Sequence, residues 1–152
     1  MTNFSDIFDR FERKIVSIEW GTDLEESELE EEKAEDYKYL LLSALASFGY
    51  ARFEPDKRSD TAFDNDLTDL EQEICATLMK VKWLSRKVAD WRNIELQYHT
   101  KDFELSNQAN HLRQLMNLLS LTEGEAYNLK KIYSRTRDYK ARNYSGFAGK
   151  KV

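Results

Sequence analysis

The sequence predicts an all-α protein: a compact helical bundle with one long C-terminal helix and a flexible basic C-terminal tail. Three observations favour this fold class. Apolar residues recur at steps of three and four along several stretches, as they do on one face of a helix. Ser/Thr-x-x-Glu sequences, which cap helices, stand directly before two of these stretches. The 152 residues include only one proline and five glycines, a composition that disfavours turn-rich all-β folds.

An apolar face at the start of the chain predicts a short amphipathic helix. Its members are Phe4, Ile7, Phe8, Phe11, Ile15 and Ile18. Asn3 or Ser5 can cap this helix, and Gly21 follows its expected end. Nine of the fifteen residues 22–36 are acidic, so a loop there would be solvated and would repel nucleic acid.

A second helix is predicted to begin at the capping box Ser27-Glu28-Leu29-Glu30 and to end before Gly49. Its buried face is expected to consist of Tyr37, Leu40, Leu41, Ala44, Leu45 and Phe48. Residues 50–66, which contain Pro55, predict a long connection with a short extended piece around Tyr50–Phe53. A connection of this length is often functional or packs on a neighbouring subunit.

The third helix is predicted to begin at a second capping box, Thr68-Asp69-Leu70-Glu71, with Leu67 placed as a hydrophobic staple. The apolar residues that follow are Leu70, Ile74, Leu78, Val81, Trp83, Leu84 and Val88. They predict a helix of about five turns that is apolar around enough of its circumference to be the central element. Trp91, Ile94 and Leu96 predict a further short segment, either helical or extended.

The last helix is predicted to run from Ser106 to Asp138. The apolar positions keep one unbroken helical phase through Leu112, Leu115, Leu119, Thr122, Ala126, Leu129 and Tyr133. Gly124 costs about 1 kcal/mol relative to alanine in a helix, and Thr122–Glu125 could form a capping box, so a kink is the alternative to continuity. The predicted domain therefore spans residues 1–138, and residues 139–152, which show no periodicity, form the tail.

Charge divides the chain into an acidic first part and a basic second part. Residues 1–66 carry 18 acids and 8 bases, a net charge of −10, whereas residues 67–152 carry 10 acids and 15 bases, a net charge of +5. Residues 130–152 alone hold eight bases and one acid, Asp138. An acidic head and a basic tail can associate between copies of the chain. A solvated helix end followed by a disordered tail is the alternative interpretation.

Residues that could carry enzymatic chemistry are few and scattered. His99, His111 and one cysteine do not supply the three or four ligands that zinc needs. Cys75 has apolar neighbours and Glu71 one turn back, which favours core packing over nucleophilic reactivity. His111 beside Leu112 is expected to be partly buried and hydrogen-bonded. We therefore expect no enzyme, no metal site and no cofactor.

Other patterns for ligands or membranes also fail. Asp64, Asp66 and Asp69 resemble part of a calcium loop but lack its glycine and its closing glutamate. Residues 146–151 are rich in glycine and lysine, yet a phosphate loop would follow a strand and open a helix. The longest apolar run, residues 40–46, is far shorter than the ~20 residues of a membrane span, so no membrane association is expected. A single cysteine excludes an internal disulfide and suits a reducing cytoplasm.

The basic C-terminal stretch carries aromatic residues between its cations. Its candidate partner-docking residues are Arg135, Arg137, Lys140, Arg142, Tyr144, Phe147, Lys150 and Lys151. Aromatic rings between cations can stack on bases, so a helical nucleic-acid-binding or DNA-packaging accessory protein is the alternative function. The overall net charge of −5 argues against free DNA binding as the main task and favours docking onto another protein.

Three blocks of the sequence together carry a resemblance to a known family. They are Phe4-Ser-Asp-Ile-Phe-Asp-Arg-Phe-Glu-Arg-Lys-Ile15, Leu67-Thr-Asp-Leu-Glu-Gln-Glu-Ile-Cys-Ala-Thr-Leu-Met79 leading to Trp83-Leu84, and Lys101-Asp102-Phe103 followed by Ser106-Asn-Gln-Ala-Asn-His-Leu112. They cover about half of the chain, and none is a catalytic signature. In this order they resemble head–tail connector (neck adaptor) proteins of tailed bacteriophages that infect low-GC Gram-positive bacteria.

This resemblance implies a helical bundle that assembles with itself as a twelve-subunit ring beneath the portal protein. Such a ring presents a surface to a stopper or tail protein, and encapsidated DNA passes nearby without specific binding. The resemblance implies no cofactor and no catalytic residue. A terminal segment that grips the portal would give residues 139–152 a role. The expected location is the virion neck, after synthesis in the host cytoplasm, and a tail-completion or head-closure protein is the nearest alternative.

Overall fold

A computed structural model describes residues 1–15, 29–49, 51–97 and 105–147 of the chain, and side chains within them for residues 1–15, 31–49, 51–93 and 109–136. The helices of these residues are α1 (Phe4–Ile15), α2 (Leu29–Phe48), α3 (Asp69–Gln97) and α4 (Leu105–Phe147). Two short strands, β1 (Thr2–Asn3) and β2 (Ala62–Phe63), complete the described secondary structure. The predicted helical bundle with a long last helix is confirmed.

Helix α3 is the central element, because α1, α2 and α4 all pack against it. Every side chain from Ile74 to Met79 is buried, so this stretch of helix contacts neighbours on all sides. Trp83 and Leu84 continue the core towards the C-terminal end of the helix. The predicted central position of the third helix is therefore confirmed.

Helix α2 buries the predicted face. All six predicted residues are buried, namely Tyr37, Leu40, Leu41, Ala44, Leu45 and Phe48. Gly49 follows the helix with a φ of +80°, a left-handed conformation that glycine adopts without a Cβ clash. Arg86 of α3 donates two hydrogen bonds, of 2.6 and 2.7 Å, to the carboxylate of Asp36 of α2. Apolar packing and this bidentate ion pair together fix α2 on α3.

Helix α3 is longer than predicted. The sequence suggested about five turns and then a separate segment around Trp91, but one helix runs without a break to Gln97. The reason is that no glycine or proline interrupts the helix here, and Trp91 packs against the core as a continuation of the same face. Its ring also meets the ring of His111 on α4, with centroids 4.7 Å apart.

Helix α4 is continuous through Gly124, as predicted, so the alternative of a kink is not needed. The Thr122 hydroxyl donates to the carbonyl of Leu118 at 2.8 Å within the helix, so it does not cap a new one. The helical backbone continues past the predicted end at Asp138 as far as Phe147. The division into a domain of residues 1–138 and a flexible tail of residues 139–152 stays a prediction.

The extended piece lies elsewhere than predicted. No strand forms in the described part of the stretch around Tyr50–Phe53, and Tyr50 lies outside the described residues. Instead Ala62–Phe63 pairs antiparallel with Thr2–Asn3. The pairing is favoured because Phe4 continues from β1 into the core, where its ring lies 4.9 Å from that of Phe63. The sequence could not predict this pairing, because each strand has only two residues and so shows no alternation of apolar and polar side chains.

The first helix is described as Phe4–Ile15, and several sequence predictions fall beyond that range. Ile18, Gly21 and the capping residue Ser27 lie outside the described residues. The predicted apolar face is confirmed for the described part, because Phe4, Ile7 and Phe11 are buried.

Candidate docking surface

A carboxylate lies inside the fold where the loop after α2 meets α3 and α4. Glu71 is fully buried, and its Oε1 accepts hydrogen bonds from Arg52 Nε at 3.1 Å and from the Tyr133 hydroxyl at 2.8 Å. Its Oε2 accepts from Arg52 Nη2 at 3.1 Å and from the backbone N–H of Thr68 at 2.7 Å. In return the Glu71 N–H donates to Thr68 Oγ1 at 3.3 Å. The predicted capping box at the start of α3 is thereby confirmed.

These partners keep the Glu71 carboxylate charged. Burial pushes the pKa of Glu71 upward, but hydrogen bonds from Arg52, Thr68 and Tyr133 outweigh burial and hold that pKa below the usual glutamate value. The carboxylate in turn raises the pKa of Arg52. A buried charge with all of these partners stabilises one arrangement of the loop and two helices, whereas a buried charge without them would destabilise the fold.

Two side chains of α4 lock that helix onto the end of α2. The Tyr133 hydroxyl accepts a hydrogen bond from the Arg52 N–H at 2.7 Å, and its ring packs edge-on against Phe48 with centroids 5.5 Å apart. Lys130 donates from Nζ to the carbonyl of Ser47 at 2.9 Å. Ser47 lies in the last turn of α2, where carbonyls lack helical partners, so Lys130 caps that end. This part of α4 is therefore held in one register.

The outward side of α4 carries large apolar side chains in solvent. The exposed fractions are 72% for Leu121, 59% for Tyr127, 51% for Ile132 and 41% for Met116. Leu121 and Ile132 stand about three turns apart on one line along the helix, and Met116 and Tyr127 form a second such line. The two lines lie about 140° apart around the helix, so they flank its exposed side. Exposed apolar side chains on both flanks of an ordered helix are available for contact with another protein.

Cations lie beside one of these exposed side chains, Tyr127. Tyr127, Lys130, Lys131, Ser134 and Arg135 line a shallow depression of about 350 Å³, which we call the basic depression. The Lys131 ammonium lies 4.7 Å from the centre of the Tyr127 ring, a cation–π contact that orients both side chains. The basic depression can bind carboxylates or other anions of a partner.

The structure places one predicted docking residue in this depression. Arg135 is exposed and lines it. Five more lie on the helical backbone of α4 with side chains outside the described residues: Arg137, Lys140, Arg142, Tyr144 and Phe147. Lys150 and Lys151 lie outside the described residues altogether.

The docking candidates predicted from the sequence did not include the other four lining residues: Tyr127, Lys130, Lys131 and Ser134. A signal for Tyr127 was present, because it falls off the helical phase that Ala126 and Leu129 share. An apolar residue off the buried phase of a continuous helix is expected to face solvent.

Residues considered for chemistry pack into the fold. Cys75 is buried, and burial together with the charge of Glu71 raises the pKa of its thiol to about 12, so the predicted core role is confirmed. His111 is half-buried against Trp91, while His99 lies outside the described residues. Within the described ranges, no group of three or more His, Cys, Asp or Glu side chains could hold a metal ion.

None of the helices in the described part of the chain is both long and apolar enough to span a membrane. Comparison of the chain with protein-family models, with curated proteins and with solved structures returned no match.

Proposed function

We propose that the protein is a structural virion protein: a head–tail connector or adaptor that joins the portal to the stopper or tail of a tailed phage. The observation that carries the proposal is the outer side of α4, where Leu121, Tyr127 and Ile132 are more than half exposed. Tyr127 shares the basic depression with the cations Lys131 and Arg135. Apolar and aromatic side chains next to arginine are the composition of protein-binding surfaces.

The way α4 is fixed supports the same function. A helix that docks onto a partner binds more tightly when it is held rigidly before binding, because less conformational entropy is lost. Tyr133 and Lys130 hold α4 against α3, α2 and the loop between them through the contacts at Glu71 and Ser47. The docking surface therefore stands on a fixed element.

The resemblance supports the proposal through the core. The first block coincides with α1, and the second contains the staple, the capping box and the central buried run of α3. The third block begins at Lys101, outside the described residues, and continues into α4. The first two blocks thus contain residues that build the bundle, which is what proteins of one fold would share.

Electron microscopy of the chain alone, and mixed with the portal protein encoded in the same genome, tests the proposal. We expect rings, or ring-shaped density added to one end of the portal. Deleting residues 139–152 should leave the circular dichroism spectrum helical and abolish incorporation into virions. A chain that contacts neither itself nor the portal would rule out the connector function, and a deletion variant that still assembles would rule out a gripping tail.

A DNA-packaging or nucleic-acid-binding accessory protein is the second candidate. The observation that favours it is the Tyr127 ring beside Lys131 in the basic depression, since a ring and cations together can hold a base and a phosphate. A salt titration separates the two candidates. DNA affinity that falls steeply with salt supports the accessory protein, whereas a protein partner retained at high salt supports the connector.

A further inference from the structure

A groove of about 400 Å³ opens on the opposite part of α2 from the basic depression. It lies between the start of α1, the first half of α2 and the loop before β2. Its lining includes Phe4, Phe8, Ala34, Glu35, Lys38 and Asp60. We call the apolar part of this lining, Phe4, Phe8 and Ala34, the floor of the groove, and the charged part, Glu35, Lys38 and Asp60, its rim.

The rim of the groove is negative. Lys38 Nζ lies 3.1 Å from Asp60 Oδ1, so these two charges offset each other and Glu35 leaves an excess negative charge. Among the charged residues that line the groove, the acids Glu35 and Asp60 outnumber the single base Lys38. The surface would therefore favour an occupant that brings an aromatic or aliphatic group together with cations.

We infer that this groove receives side chains from the basic depression on α4 of a second copy of the chain. Tyr127 supplies the ring for the apolar floor, and Lys131 and Arg135 supply cations for the acidic rim. This pairing joins the acidic part of one chain to the basic part of the next, in line with net charges of −10 for residues 1–66 and +5 for residues 67–152.

The positions of the two surfaces make the contact one between chains. Lys130, in the basic depression, is bonded to Ser47 at the end of α2, whereas Glu35 lies about 18 Å back along the same helix. The side chains of the basic depression cannot reach the groove of the same chain across that separation, because Lys130 and Tyr133 hold α4 in place. Two different surfaces that meet in successive copies form a heterologous contact, which produces a ring or a filament. In naming a closed ring as the product, the inference rests on the proposed connector function.

Charge reversal tests the contact. Glu35→Lys and Arg135→Glu each place like charges across it, so each variant alone should self-associate at least ~10-fold more weakly than the wild type in sedimentation velocity. An equimolar mixture of the two should recover assembly to within about 3-fold, since alternating chains restore opposite charges at every contact. Both residues are exposed, so folding should be unchanged by circular dichroism. Arg113→Glu, an equal charge change at the other end of α4, is the matched control and should assemble like the wild type.

Cysteine crosslinking locates the contact without changing charge. Ser5 lines the groove, Ser134 lines the basic depression, and Cys75 is buried and does not compete. Oxidation of a mixture of the Ser5→Cys and Ser134→Cys variants should give a mixed disulfide dimer. Asn117→Cys in place of Ser134→Cys is the control, because Asn117 is exposed about 25 Å further along α4 and should give none.

The outcomes separate this inference from the proposed function. A wild-type chain that remains monomeric at every concentration tested by sedimentation velocity overturns the inference. The connector function is then tested only by electron microscopy of the chain mixed with the portal protein. Rings that form unchanged in both charge-reversal variants also overturn the inference while leaving the connector function intact. A mixture in which Ser5→Cys gives no mixed disulfide with Ser134→Cys, while the wild type still assembles, assigns self-association to another surface and overturns the inference.

Discussion

Tyr133 on α4 donates its hydroxyl to Glu71 at the start of α3 at 2.8 Å, across 62 residues of sequence. The same hydroxyl accepts the backbone N–H of Arg52 at 2.7 Å. One phenol therefore joins the loop after α2, the cap of α3 and the seam of α4. Because the Glu71 carboxylate is buried, losing one of its hydrogen bonds should measurably lower the free energy of unfolding.

Replacing Tyr133 with phenylalanine should lower the free energy of unfolding by about 1–2 kcal/mol. The ring and its packing on Phe48 remain, but the buried carboxylate loses a donor and the Arg52 N–H loses an acceptor. Urea unfolding should show a lower midpoint with an unchanged slope. Tyr127→Phe is the control: its ring is exposed, so stability should change by less than ~0.5 kcal/mol. Equal effects in the two variants would contradict the importance of the Glu71 network.

Acid should weaken the fold through Glu71. Its pKa in the folded protein lies below the value in the unfolded chain, near ~4.3, so the unfolded state binds the proton first. The stabilisation from Glu71 is therefore fully present above that unfolded value and is lost as the pH falls through the lower folded value. Glu71→Gln lacks this titration, so the stability difference from the wild type should shrink at low pH. Denaturant unfolding measured from neutral pH into that acidic range checks the sign, and a constant difference would refute it.

Two glycines should respond to alanine in opposite directions. Gly49 has a φ of +80°, so a Cβ there is strained even though nothing else lies within 4 Å, and Gly49→Ala should cost about 1–2 kcal/mol. Gly124 lies within α4 with no neighbouring atom within 4 Å of an added Cβ. Gly124→Ala should therefore stabilise the protein by about 0.5–1 kcal/mol. Thermal unfolding of both variants tests the pair, and destabilisation by Gly124→Ala would contradict the open space beside that position of α4.

The loss of stability caused by an aspartate substitution in α4 should increase with the burial of the leucine that it replaces. Leu115 is buried, Leu119 is half-buried and Leu121 is 72% exposed. Leu115→Asp should cost several kcal/mol because an unpaired charge enters the core, whereas Leu121→Asp should change stability by less than ~0.5 kcal/mol. Leu119→Asp should fall between them, although the sequence phase alone places Leu119 and Leu115 on the same seam. Chemical denaturation that ranks the three in another order would show that the buried face is misassigned.

Local sequence patterns predicted the elements that local energies determine. The capping box at Thr68 and Glu71, the end of α2 at Gly49 and the burial of Cys75 were all predicted from residues within one or two turns. The continuity of α4 through Gly124 followed from an unbroken apolar phase. Where prediction failed, as at the end of α3, the sequence contained a weaker apolar run but no residue that stops a helix.

The candidate docking surface was predicted only in part. Arg135 stood out because it belongs to a dense run of cations, a property of the sequence itself. Tyr127 and the groove at Phe8 were not predicted from the sequence, since their exposure depends on which side of each helix the neighbouring helices cover. The remaining predicted docking side chains, from Arg137 to Lys151, lie outside the side chains that the structure describes.

The amino-acid order by itself determined that this chain forms helices, where most of them begin, and which faces they bury, because helix periodicity and capping act over a few residues. Only the tertiary structure decided that Arg52 and Tyr133 meet at Glu71, that Thr2–Asn3 pairs with Ala62–Phe63, and that an apolar groove and a basic depression lie at opposite ends of α2. Those relationships join residues far apart in the chain. They arise from how the helices pack against one another, and contacts between residues so far apart in the chain produce no repeating pattern in the sequence.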